Sequence, residues 1–201
     1  MKCMRDSFEN PDMPFYAIEL AAFGCWNPNR PYKEDRFVTE DSWAFLREQQ
    51  QTATEVDANN FLVTSMELGN FVDIHPIQKK LLSYRMTLKI LKHTYGFSVD
   101  ADHPTFHSVK FENKKAYITL NHGEGLYAPG LNGLGKVKIY LADETHCLKP
   151  ADIEIVNDTL VLSSKEVTNP ILVRYAFDDF YGGCHIYNKA GLPLSPFRTD
   201  R

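Results

Sequence analysis

The 201-residue chain has no long run of like charge: 22 Lys and Arg stand against 26 Asp and Glu, a net charge of −4 distributed along its length. Such a surface offers no basic face to a phosphate backbone, so no nucleic-acid partner is expected. Long apolar runs are missing too. No stretch approaches the ~20 continuous apolar residues of a membrane-spanning helix, and no membrane partner is expected. The opening MKCMRDSFENPDMPF places charges and prolines where a secretory signal needs an apolar run, so no export signal is expected here and the compartment stays open. Cysteine is scarce. Cys3, Cys25, Cys147 and Cys184 fit neither a CxxC zinc site nor a compact disulfide framework, and reduced structural thiols are the expectation. There is no internal repeat and no low-complexity segment.

What the chain does have is core material: 43% of residues are apolar and 12% aromatic, enough for one large domain or two small ones. PFYAIELAAF (14–23) is short, aromatic and aliphatic, and reads as a buried strand. In TEDSWAFLREQQQTATEV, Trp43, Leu46 and Gln50 recur at helical spacing, with Asp41 or Ser42 placed to cap the start. NFLVTSMEL (60–68) reads as a second strand. Ile77, Leu81, Tyr84, Leu88, Leu91 and Tyr95 then mark one face of an amphipathic helix, with Pro76 in its first turn and Gly96 at its C-terminal cap. Strand, helix, strand, helix is the alternation of a parallel sheet covered by helices.

Beyond Gly96 the period changes to two. SVKFENKKAYITLNHG, KVKIYLAD, ADIEIVNDTLVLSS and PILVRYAF alternate apolar and polar residues between Asn, Asp and Gly turns, and Asn157-Asp158 marks a tight hairpin bend. The expected organisation is therefore an α/β part over 1–97 and an all-β sandwich or jelly-roll-like module over 98–201.

The segment FVDIHPIQKK (71–80) sets a histidine between the second strand and the long helix. A residue before proline is pushed out of the helical region, which holds His75 on the loop. Loops at the carboxyl ends of strands are where catalytic groups gather in open α/β sheets. A histidine that activates an alcohol needs one ring nitrogen on the nucleophile and the other on a carboxylate, and Asp73 and Glu67 are both close in sequence. From position alone, a histidine beside a helix start is more often a polar surface or capping residue.

Several stretches, in order, carry a resemblance: MPFYAIELAAF, SWAFLREQQ, MELGNFVDIHPIQKKLLSYRMTLKILKHTYG, VRYAF and YNKAGLPLSPFRTD. Together they resemble the sialate O-acetylesterases and their bacterial relatives, within the SGNH-hydrolase group of serine esterases. The DIHP-to-YG segment and the GLPLSPFRTD tail are the specific ones. The resemblance implies a flavodoxin-like parallel-sheet hydrolase domain, an O-acetylated sugar as substrate, and neither metal nor organic cofactor. It places the catalytic histidine on His75. In SGNH hydrolases the acid lies three residues before the histidine, which here is Val72; the role is carried to Asp73, with Glu67 in reserve.

The resemblance also exposes an absence. The group's serine stands in a Gly-x-Ser-Asn turn ahead of every matched stretch, with an oxyanion block after it, and no serine of this chain is framed so. Ser98 in GFSVD lacks the final glycine of GxSxG. The expectation is the C-terminal part of an esterase, inactive alone, whose half-sheet would favour a homodimer or a missing N-terminal half. The competing expectation is a non-catalytic carbohydrate-binding or interaction protein derived from a truncated esterase.

Three further patterns read as structure. His103 and His107 have the spacing of a helical metal pair, but Pro104 and strand-like neighbours argue for a loop. GEGLYAPGLNGLGK is glycine-rich without the GKS or GKT of a phosphate loop. Phe177, Phe180, Tyr181 and Tyr187 suit a core or rim better than a sugar-stacking surface.

Overall fold

A computed structural model describes residues 1–24, 43–129, 137–180 and 185–200. A short helix, α1 (Lys2–Ser7), precedes strand β1 (Phe15–Ile18), helix α2 (Trp43–Glu55), strand β2 (Asn60–Val63), a single 3-10 turn (Met66–Leu68) and helix α3 (Lys79–His93). β1 and β2 pair in parallel, with Phe15 beside Asn60 and Ile18 beside Val63. The expected second strand is therefore shorter than 60–68, because Ser65 and Met66 turn inward: both of their amides donate to the buried Glu19 carboxylate, at 2.9 and 3.1 Å. Burial pushes that carboxyl up, and Arg47 opposes the shift.

α2 does not bury the face its apolar spacing marks. Leu46 is exposed, while Ala44, Arg47, Glu48 and Thr54 are buried. Gln50 serves backbone satisfaction: its Oε1 accepts from Leu20 N at 2.9 Å and its Nε2 donates to Ile18 O at 3.1 Å, closing the end of β1. The proposed caps Asp41 and Ser42 lie outside the described residues, as do Cys25, Cys184 and Tyr181. Cys3 and Cys147 are free and exposed.

α3 begins at Lys79, with Pro76 and Ile77 outside it. Its C-terminus matches the expected glycine stop: Gly96 has φ +71°, and the amides of Gly96 and Phe97 fold back onto the carbonyls of Lys92 and Leu91. Its apolar stripe is only partly covered: Leu81, Tyr84 and Tyr95 are exposed, while Leu88 and Leu91 are half-buried. Arg85 and Lys89 are buried, and Arg85 donates to Thr64 O at the end of β2 at 3.0 Å.

The remaining strands form two antiparallel sheets, ordered β3 (Thr105–Glu112), β4 (Lys115–Asn121), β8 (Thr159–Ser163), β7 (Asp152–Val156) and β10 (Phe197–Arg198), β9 (Leu172–Tyr175), β5 (Ile139–Ala142), β6 (Lys149–Pro150). The β7–β8 hairpin turns at Asn157 and Asp158, whose φ values of 47° and 60° are those of a type I′ bend. Alternation sends Ala116, Ile118, Leu160 and Leu162 from one sheet and Ile139, Leu141, Val173, Tyr175 and Phe197 from the other into one hydrophobic core. Ala22 and Met66, from the loops after β1 and β2, join that same core. The chain is thus mixed α/β with antiparallel pairing predominant; among the described residues the parallel component is the β1–β2 pair and an isolated bridge between Phe23 and Asn70.

The joint between the helical part and the sheets also carries a set of polar contacts. Glu48 on α2 accepts a bidentate pair from Arg198 at 3.0–3.3 Å, and the Arg198 guanidinium lies 4.6 Å from the Phe45 ring centroid and 5.3 Å from that of Phe177. Trp43 N donates to Asp179 Oδ1 at 2.8 Å, and Arg47 donates to Asp178 O. On the other flank, Lys89, Lys92 and His93 of α3 converge on Asp102. Burial pushes the Asp102 carboxyl up, but those three hydrogen bonds outweigh it and hold the group well below the usual carboxylate range.

Candidate active site

The loop after the 3-10 turn is built on backbone contacts. Gly69 lies so close to the Ala22 backbone that a Cβ would overlap it, and the same closeness lets Ala22 N donate to Met66 O at 3.1 Å. Gly24 N donates to Phe71 O at 3.2 Å, and a Cβ at Gly24 would enter the Phe71 ring. Phe71 in turn meets Phe180 edge-on, with ring centroids 5.3 Å apart. The root of the loop is thereby fixed to both the parallel pair and the antiparallel core.

From that root the loop shapes itself with two short side chains. Asn70 Oδ1 accepts from Val72 N at 2.9 Å and Asp73 N at 3.3 Å. Asp73 Oδ1 accepts from His75 N at 2.8 Å and lies 3.1 Å from His75 Nδ1. Each is an Asx turn, in which a carboxylate or amide oxygen takes the amide two residues on. His75 and Asp73 are therefore brought together, through a contact that spans two residues.

The His75 amide and then its ring, both bonded to the Asp73 carboxylate, hold that carboxyl below its ordinary value. With Nδ1 committed to Asp73, the imidazole is set with Nε2 as its free nitrogen; among the described residues Nε2 makes no hydrogen bond. The side chains are 82% and 54% exposed, so the pair stands at the surface. An oriented imidazole with one open nitrogen can accept a proton from a hydroxyl and return it to a leaving oxygen.

Glu67 is placed elsewhere. Its carboxylate pairs with the Arg85 guanidinium, both side chains almost fully buried, and the pair pins α3 to the 3-10 turn. Ser98 is exposed in the segment after α3. His103 is buried just before β3, whereas His107 is an exposed strand residue, so the two do not share a helical face. Phe177 is buried, Phe180 packs on the core, and Tyr187 stacks on Tyr127 with centroids 5.6 Å apart. Only Gly123–Pro129 of the glycine-rich segment falls within the described residues.

Sequence reading gave no notice of the buried charged groups of the helical part, Glu19, Arg47, Arg85 and Lys89. Each is a polar residue in an amphipathic or strand pattern that normally marks a solvent face.

No family model matches the chain, and no curated protein matches it. Among solved structures, it is similar to a carbohydrate acetylesterase from Xanthomonas citri, with a TM-score of 0.85 and 27% sequence identity, over 99% of this chain and 44% of that one. This chain thus spans less than half the length of that protein, and by fold and sequence it is related to a carbohydrate esterase.

Proposed function

We propose that the chain supplies the histidine and acid of a serine-type carbohydrate O-acetylesterase, of the sialate O-acetylesterase kind within the SGNH hydrolases, acting on acetyl esters of sugar hydroxyls. The observation that carries the proposal is the pairing of Asp73 with His75 Nδ1 at 3.1 Å in a chain similar to a carbohydrate acetylesterase. Asp73 holds the imidazole with Nε2 outward. Nε2 takes the proton of a serine hydroxyl as its oxygen attacks the acetyl carbonyl, and gives it to the sugar oxygen as the C–O bond breaks. Water then attacks the acetyl-serine, with His75 again as base, and acetate leaves. The β1–β2 pair and its helices are read as the C-terminal part of the parallel-sheet domain, and the two antiparallel sheets as a sandwich-like module.

No serine of this sequence is framed as Gly-x-Ser-Asn, so in this reading the attacking oxygen and the oxyanion donors are supplied by another segment. The test joins this chain to the portion of the Xanthomonas acetylesterase that it does not span and follows acetate release from O-acetylated sugars. His75→Ala is expected to lower kcat by about 10³-fold or more, and Asp73→Asn by about 10²–10⁴-fold, with unchanged circular dichroism. Near-normal turnover in His75→Ala would refute the assignment. Saturable glycan binding by the chain without ester hydrolysis, unaffected by His75→Ala, would favour the non-catalytic reading instead.

A further inference from the structure

At the C-terminal end of α3, Lys92 closes one side of a shallow polar cleft of about 260 Å³, whose other walls come from residues 100–102, 122–124 and 188–190. Asn188 ties those three segments together. It is 4% exposed; its Nδ2 donates to the carbonyls of Asp102 at 3.0 Å and His122 at 3.1 Å, and its Oδ1 accepts from Ala190 N and Leu192 N, both at 3.1 Å. Lys189 N donates to Glu124 O at 2.9 Å, and Gly125, with φ +63°, lets the chain pass a Lys189 Cβ that would stand 2.9 Å from its own. The cleft is therefore preformed.

Its side chains divide into committed and open groups. Lys92 Nζ lies 2.5 Å from Asp102. Lys189 stands 4.0 Å from Asp100, a loose pair with both side chains more than half exposed. Among the described residues the Glu124 carboxylate and the His122 ring make no hydrogen bond or ion pair. His122 is held there at φ 54°, a left-handed conformation that costs a residue with a Cβ. Tyr127 adds an aromatic edge: its hydroxyl is 3.8 Å from where a Cβ at Gly191 would stand, next to Ala190 of the cleft. Its ring is stacked on Tyr187 and still 44% exposed.

The charges narrow the ligand. Two lysines face three carboxylates, so an anion meets the carboxylates and a cation meets the lysines, and neither gains a net field. Among the described residues no three acidic or histidine side chains converge to hold a metal ion. Carboxylates that accept, a lysine that donates and an imidazole that does either suit hydroxyl groups, which both donate and accept. A braced, exposed tyrosine suits the apolar C–H face of a sugar ring. The volume is below the roughly 300–1,000 Å³ of sites that enclose a drug-sized ligand, so it takes one sugar unit or the end of a chain laid across it.

We propose that this cleft is a saccharide-binding site: a neutral sugar unit lies on Tyr127 and its hydroxyls bond Glu124, His122, Asp100 and Lys189. About 20 Å of helix, at ~1.5 Å per residue, separates Lys92 from Lys79, four residues after His75, so one sugar unit does not touch both places. The site is independent of the esterase reading.

The test titrates the full chain with neutral oligosaccharides of glucose, xylose, galactose and N-acetylglucosamine, none of them O-acetylated, and follows amide resonances by NMR. Saturable, millimolar or tighter binding is expected, with the shifts confined to residues 122–127 and 187–191. Tyr127→Ala should weaken it by about 3–10-fold and Glu124→Gln by a similar factor, the pair together by about 30-fold or more, while Lys114→Ala at the distant β3–β4 turn leaves it unchanged. Glu124→Gln is isosteric at an exposed position, so it keeps the test decisive should Tyr127→Ala disturb the fold, which a melting curve reports. No saturable binding of any of these sugars at about 10 mM overturns the proposal, as does binding indifferent to both variants. Shifts centred on residues 72–77 overturn it too, with the histidine loop as the site. Saturation by calcium or inorganic phosphate and by no sugar overturns it, with an ion as occupant. Acetate release by the joined protein decides the esterase reading separately, and sugar binding at this cleft counts against that reading only where the joined protein releases none.

Discussion

Removing the Arg85 guanidinium tests how the histidine loop is held. Arg85 and Glu67 form an ion pair whose side chains are only 4% and 8% exposed, and Arg85 also satisfies Thr64 O at the end of β2. Arg85→Met keeps the length of the side chain and its apolar stem, but leaves a buried carboxylate with no countercharge and a buried carbonyl with no donor. Breaking such a pair from one side costs about 3–5 kcal/mol, and the orphaned carbonyl about 1–3 kcal/mol more. Against a total stability of about 5–15 kcal/mol for an ordinary domain, the variant should be close to unfolding. Glu67→Leu/Arg85→Met removes both charges, so most of the first loss should be regained, with a coupling energy of about 2–4 kcal/mol. Urea unfolding at 25 °C, followed by circular dichroism for the four members of the cycle, measures it. A cost below about 1 kcal/mol for Arg85→Met, or a coupling energy near zero, would refute the claim that this pair anchors α3.

Burial, followed for His103 by the charge of Lys89 and for His185 by that of Arg85, lowers the imidazole pKa values to about 3 and about 4, against 6.5 in the unfolded chain. Depressed values mean that the unfolded state binds more protons below pH 6.5, so this stability is complete above pH 6.5 and is lost as the pH falls toward 4. The loss should reach about 2 kcal/mol per histidine by pH 5, read from urea midpoints at pH 7.5 and 5, and His103→Gln/His185→Gln should flatten it. An unchanged pH slope in that variant would dispose of the assignment. At the β3–β4 turn, Asn113 and Lys114 hold φ values of 51° and 64°, a left-handed geometry that suits Asn-Gly. Lys114→Gly should raise stability by about 0.5 kcal/mol, seen as a Tm higher by a degree or two; a lower Tm would show the turn relaxed at no cost.

The parts of the fold legible in the sequence are those decided locally. The order strand, helix, strand, helix followed by period-two strands survives because it depends on spacing, and the Asn157-Asp158 hairpin survives because few residues accept two consecutive positive φ values. The strand expected to run to residue 68 ends at Val63 because the Glu19 carboxylate, more than 40 residues away in sequence, captures the next amides. Leu46 faces outward because α2 is held by Glu48 on Arg198 and Arg47 on Asp178, partners about 130–150 residues distant that no helical wheel contains. The α3 stripe was legible as an apolar face, but which side of the helix packs was not, since a periodic pattern gives a direction without naming its neighbour. For the candidate site, adjacency of Asp73 and His75 was visible; that a two-residue reach suffices follows from the turn geometry, which depends on the backbone of Val72 to His75.

That turn geometry has a consequence for transferability. Asn70 and Asp73 shape the segment by bonding amides within three residues of themselves, so the relative placement of carboxylate and imidazole is encoded in the six residues 70–75. Val72 and Ile74 contribute only their backbone to it. A search for distant relatives is therefore better keyed to Asn, Asp and His at those offsets, followed by proline, than to overall similarity. The same six residues, set between a strand end and a helix start in an unrelated α/β scaffold, form a portable unit for installing an oriented imidazole.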